Sequence, residues 1–185
     1  MESCTNGRTI NGHEYVDLGL SVKWATCNVG ADKLEDYGDY YAWGETVSKS
    51  SYDKDNCETY GKNIGDIKST DRDVAHVKWG GTWRMPTKTE IKELVDNCTW
   101  TWMMQNGVKG YKFTSKKNGN SIFLPAAGYW LGTSLKFSGE CGSYWSSTPY
   151  ESSTQYTYYL FFLSFDHDWD WCNRDYGRSV RPVSE

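Results

Sequence analysis

A chain of 185 residues with a formal net charge of −4 and interspersed signs lacks the basic footprint of a nucleic-acid binder, and no apolar run reaches membrane-spanning length. Only 38 % of its residues are hydrophobic, but 16 % are aromatic, with ten Trp and fourteen Tyr. One domain over residues 1–185 is therefore expected, with a core built from a few large side chains.

In chain order, residues 14 to 29, EYVDLGLSVKWATCNV, read as two short strands around Gly19. GDYYAWGET reads as a strand and a turn. Residues 48 to 68 are polar, turn-rich and without periodicity, which predicts a surface loop. In STDRDVAHVKWGG, a Ser or Thr cap and an acidic first turn precede Gly80 and Gly81, so a short helix is predicted over Asp71 to Trp79. WRMPTKTEIKELVDNC is the clearest local signal. Thr87 and Glu90 form a capping box, and Ile91, Leu94 and Val95 make a stripe at helical spacing, so a helix is predicted from about Lys88 to Asn97. TWTWMM, GYKFTSK, NSIFLPAAGYW, GSYWSSTPY, YTYYLFFLSF and SVRPV follow as β-rich runs, with KKNGN as a hairpin turn. The class predicted is α+β: two short helices, short antiparallel strands and long loops. Trp79, Trp83, Trp100, Trp102, Trp130 and Trp145 are expected mostly in the core.

The six cysteines, Cys4, Cys27, Cys57, Cys98, Cys141 and Cys172, contain no C-x-x-C pair, which argues against a zinc site. Mostly free thiols are expected. The opening MESCTNG has no signal-peptide pattern.

The tract from Phe161 to Tyr176 interleaves large apolar groups with carboxylates. That is the composition of a binding hot spot or a paratope. Asp166, Asp168 and Asp170 share one face if extended, and that face cannot be buried without partners. A plain solvated loop is the bland alternative, and a buried core strand accounts in part for Tyr159, Leu160 and Phe162. D-x-D-x-D also suggests calcium, but the Gly at the sixth position and the bidentate Glu at the twelfth of an EF-hand loop are missing. No G-x-S-x-G or other catalytic context surrounds His13, His76 or His167. Neither an enzyme nor a metal or other cofactor is expected.

Several motifs in order carry a family resemblance: YVDLGLSVKWATCNVGA, WRMPTKTEIKEL, IFLPAAGY, YWSSTPY and GRSVRPV. Together they resemble the C-type lectin fold of the formylglycine-generating-enzyme-like branch. More narrowly, the chain resembles bacterial and phage variable proteins diversified by retroelements. The enzyme's redox cysteine pattern is not matched by Cys141 and Cys172, and the E-P-N and Q-P-D tripeptides of calcium-dependent sugar binders are absent. The resemblance implies a C-type lectin fold with a variable ligand-binding region over about residues 142–183. In such proteins adenines in chosen codons, mostly Asn codons, are rewritten while the scaffold stays fixed. Phe161, Leu163, Asp166, Asp168, Asp170 and Cys172 stand where Asn is expected. Randomising both adenines of an AAC codon gives Phe, Leu, Asp or Cys but never Trp, so Trp169 and Trp171 read as scaffold and as the expected floor of the site. The expected contact set is Phe161, Leu163, Phe165, Asp166, Asp168, Asp170, Cys172 and Asp175, flanked by Tyr150, Tyr156 and Tyr176. The implied partner is a protein on another cell or particle, met by a monomer at a bacterial cell surface or on a phage particle. A non-diversified adhesive module and a carbohydrate-binding lectin are the rival functions.

Overall fold

Thr87 caps the longer helix as its sequence predicts. Its hydroxyl accepts from the Glu90 amide, and the Glu90 carboxylate accepts from the Thr87 amide. The computed structural model describes residues 8–185, so Cys4 and the opening MESCTNG lie outside the described residues. The chain runs β1 (Thr9–Ile10), β2 (His13–Val16), β3 (Lys23–Ala25), α1 (Val74–Trp79), α2 (Lys88–Asn97), β4 (Cys98–Gln105), β5 (Val108–Ser115), β6 (Ser121–Pro125), β7 (Tyr129–Leu131), β8 (Ser134–Lys136), β9 (Cys141–Pro149), β10 (Tyr156–Leu163), β11 (Asp166–Asn173) and β12 (Val183–Ser184).

The α+β expectation, and the C-type lectin fold with it, is corrected by this architecture. Among the described residues the chain is mostly β, at 39 % strand against 9 % helix, in four antiparallel sheets ordered β1-β2-β3-β12, β11-β10-β9, β4-β5-β6 and β7-β8. The two helices are real but short, for local reasons. Asp73 caps α1 by accepting from the His76 amide, and Gly80, at φ 64°, stops it after six residues; positive φ suits glycine there. At the end of α2 the backbone turns extended at Cys98 and runs straight into β4.

Ile91 and Leu94 of α2 press into a cluster with Trp24, Phe113, Leu124, Leu160 and Phe162. A second cluster gathers Trp43, Trp83, Trp145, Val29 and Val180. Trp79, Trp83 and Trp145 are buried as expected, whereas Trp100, Trp102 and Trp130 are half-buried. Two local expectations fail because distant contacts override local pattern. Residues 48 to 68 form no regular element, yet Tyr52, Cys57, Thr59 and Ile67 are buried. Tyr52 exchanges backbone hydrogen bonds with Gly132, and Ile67 donates to Ser147. In place of a strand, GDYYAWGET contributes one isolated bridge, Tyr41 to Arg178. Cys27, Cys57, Cys98, Cys141 and Cys172 are free thiols.

The C-terminal sheet positions the candidate site. β10 is its centre, flanked by β9 on one side and the edge strand β11 on the other. Close approach sets the β9–β10 packing: a Cβ on Gly142 would overlap the Phe162 ring.

Candidate functional site

Residues Ser164 and Phe165 form the two-residue loop that joins β10 to β11, and this fixes the register. Leu163 faces Asp166, Phe161 faces Asp168, Tyr159 faces Asp170 and Thr157 faces Cys172. Directly opposed residues of an antiparallel pair project to the same side, and alternate residues along each strand do too. Leu163, Phe161, Asp166, Asp168, Asp170 and Cys172 therefore share one face of a single hairpin. The three carboxylates are exposed, while Phe161, Leu163 and Cys172 are half-buried. Phe165 sits at the hairpin tip, 83 % exposed.

The opposite face carries Leu160, Phe162, His167, Trp169 and Trp171. Leu160 and Phe162 are core. His167 stacks on Trp100 at 3.9 Å between ring centroids, and burial lowers its pKa although Asp166 and Asp168 push it back up. Lys88 lies over the rings of Tyr158, at 3.7 Å, and Trp169, at 4.8 Å. The expectation that Trp169 or Trp171 floors the contact set is thus corrected. Strand alternation sends both indoles to the other side of the sheet.

Two flanking residues go with them. Tyr150 stacks on Trp171 at 4.9 Å and Tyr156 lies 4.8 Å from the same ring, so both belong to the opposite face. Tyr176 remains on the carboxylate side, stacked on Tyr129 at 5.6 Å. Asp175 leaves the contact set altogether, being only 2 % exposed. The chain has turned away from β11 by then, pinned where Trp43 donates to the Arg174 carbonyl and Arg178 to the Tyr41 carbonyl. Burial raises the Asp175 pKa, and its Oδ1 has no hydrogen-bond partner.

β11 is a sheet edge, and an edge strand leaves outward N–H groups free to pair with another chain. Here each carboxylate folds onto the next amide. Asp166 Oδ1 accepts from His167 at 2.9 Å, Asp168 Oδ1 from Trp169 at 2.8 Å and Asp170 Oδ1 from Trp171 at 2.8 Å. The second oxygen of each stays available, and among the described residues none of the three pairs with a base.

Four residues outside the expected contact set complete the face. Tyr159 lies in register with Asp170 and Trp145; the parity of YTYYLFFL alone places it with Phe161 and Leu163. Arg178 is buried behind Tyr159, its guanidinium carbon 4.1 Å from that ring and 4.9 Å from the ring of Tyr129. Tyr129 and Phe137, 6.0 Å apart, come from the β7–β8 hairpin and its exit. Burial pushes the Cys172 thiol up to about 11 against the pull of Arg178, which favours the thiol over the nucleophilic thiolate.

Residues 104–183 match the family model described as a domain of unknown function, DUF8237. The match takes in the whole hairpin and Arg178. No curated protein and no solved structure matches the chain.

Chemically, the face offers hydrogen-bond acceptors and aromatic area. Among the described residues no three His, Cys, Asp or Glu side chains converge as a metal-holding group, and no helix is long and apolar enough to cross a membrane.

Proposed function

We propose that this chain is a ligand-binding display domain whose C-terminal surface, within residues 142–183, is diversified by a retroelement, and that its partner is a protein on another cell or particle. One observation carries the proposal. The six residues that stand where Asn is expected and that an adenine-rewritten AAC codon can give, Phe161, Leu163, Asp166, Asp168, Asp170 and Cys172, fall on one face of one hairpin in register, with Phe165 at its tip; Asp175, less securely aligned, is buried off that face. The two that no such codon can produce, Trp169 and Trp171, fall on the other. Alternation within each strand is already in the sequence; the register adds that the two strands pair with both sets on one side, and that supports the reading.

A paired hairpin fits the task. Its backbone bonds do not depend on side chains, so substitutions on the outer face change the ligand and spare the fold. Little backbone entropy is lost on binding to a rigid surface. The DNA beside the gene tests the proposal. A near-copy of the codons for residues 142–183, differing mainly at adenines and lying next to a reverse-transcriptase gene, is the expected finding. A locus with neither would leave a fixed binding module.

A further inference from the structure

Arg178 is a buried cation without a counter-ion. It is 3 % exposed, and it stands among four rings: Tyr159 at 4.1 Å, Tyr129 at 4.9 Å, Trp145 at 5.0 Å and Tyr176 at 5.4 Å. Among the described residues no carboxylate pairs with it, and its Nε is sealed from solvent with no hydrogen-bond partner. The polar group beside it is the Cys172 thiol, which takes a side-chain hydrogen bond from Arg178 but is only a weak acceptor. The other deeply buried arginines each spend most of their donors on oxygen acceptors, although Arg84 Nε and Arg181 Nη2 are also without a partner. Arg84 is paired with Glu90; Arg174 donates to the carbonyls of Tyr156, Thr59 and Lys62; Arg181 donates to Asn28 and the Ala25 carbonyl. A second unmet group lies on the same face. Ser143, in register with Phe161, is fully buried with an unpartnered hydroxyl.

We infer that Arg178 is the anchor of the display face and takes a carboxylate of the partner into the frame of Tyr129, Tyr159 and Tyr176. Aromatic faces offset part of the cost of burying a guanidinium, but they leave its Nε donor unspent. A planar carboxylate matches the guanidinium fork with two parallel bonds, stronger than neutral ones. The Asp166, Asp168 and Asp170 row along the rim sets the context of that group. Its field repels a partner that is acidic throughout. The carboxylate that enters is therefore single, set among neutral or basic neighbours. Arg178 lies outside the rewritten positions, so the anchor is common to every variant while the hairpin supplies the differences. The inference rests on the display proposal only in placing both on one face.

The test uses three small probes and needs no identified partner. N-acetylphenylalanine presents a chain-terminal carboxylate, N-acetylglutamic acid α-amide a side-chain carboxylate, and N-acetylphenylalaninamide none. The readout is the Arg178 Nε–H resonance in a two-dimensional NMR spectrum of the 15N-labelled chain, which a sealed Nε keeps from exchanging. Saturable movement with either carboxylate and none with the amide is expected; the stronger of the two responses names the source. In Arg178→Lys, Trp fluorescence should report binding roughly tenfold weaker, since the fork is lost. Wild-type resonances unmoved by both carboxylates, or moved equally by the neutral amide, would overturn the inference. Neither outcome touches the codon test, so the two proposals fail separately.

Discussion

Phe161 lies directly opposite Asp168 across β10 and β11, an aromatic ring and a carboxylate side by side on one sheet face. Such a pair has no packing reason to be there. Their neighbours one position along, Trp169 and Phe162, serve the core side. Toward β9 this face joins the core through Trp145 and Tyr159, but along β11 its carboxylates are exposed, and that exposure yields the first prediction.

Replacing Leu163, Asp166, Asp168 and Asp170 together by Asn should shift stability by about 0.5 kcal/mol per exposed site or less. Asn keeps a side-chain oxygen that can still accept from the edge amides of His167, Trp169 and Trp171. Urea unfolding of the quadruple variant measures this. A loss of several kcal/mol would mark these residues as structural.

Trp83 and Trp145 should behave in the opposite way. Both are fully buried, and their indole N–H groups donate at 2.7 Å to the carbonyls of Ile10 and Tyr41. Trp→Ala at either should cost roughly 3–5 kcal/mol. An unchanged melting temperature would contradict their placement.

Glu90 supplies a pH dependence. Burial alone would raise its carboxyl, but the bidentate bonds from Arg84, at 2.7 and 2.9 Å, and the Thr87 amide outweigh that and hold it below the usual Glu value. A depressed folded-state pKa stabilises above the unfolded value and is lost as pH falls through the folded one. Glu90→Gln keeps the capping geometry and removes the charge, leaving Arg84 only the longer, exposed Glu185 contact at 3.5 Å, at a cost of up to about 3 kcal/mol at pH 7. The gap between wild type and variant should narrow as the pH falls below the ordinary carboxylate range. Denaturant melts at a series of pH values would show it, and a gap that widened in acid would refute the assignment.

Gly142→Ala isolates the β9–β10 contact. The added methyl would overlap the Phe162 ring, and overpacking of this kind costs about 1–3 kcal/mol or more. Gly12→Ala, where nothing lies within 4 Å but φ is +83°, separates steric overlap from backbone strain. A melting temperature for Gly142→Ala equal to wild type would show that the sheet spacing is not fixed by Phe162.

What the sequence made legible was local. Thr87, Glu90 and the Ile91, Leu94, Val95 stripe carry α2 within sixteen residues of text, and YTYYLFFL with its turn carries the hairpin. The class was misjudged because two well-signalled helices stood out, while much of the β structure consists of pairings between distant short pieces, such as Val183 with Trp24. Nothing near Tyr52 announces that Gly132 will pair with it, and nothing near Asp175 announces that the 41–43 segment will cover it. Within the site, composition pointed to the tract. Its faces follow from parity, and parity sends Trp169, Trp171, Tyr150 and Tyr156 away from the carboxylates. Arg178 was invisible for another reason. An arginine without a partner is defined by what fails to surround it, and no short motif encodes that.

The central claim is that one face of the β10–β11 hairpin is free to vary while the rest of the chain is held. Deep sequencing of the coding locus across many cells of one population measures it most directly. The display account predicts substitutions concentrated at the codons for Phe161, Leu163, Asp166, Asp168, Asp170 and Cys172, with Lys, Glu, Gln, Met and Trp absent among the replacements and Trp169, Trp171 and Arg178 constant. Substitutions spread evenly over both faces of the hairpin, or no excess at those six codons, would contradict it.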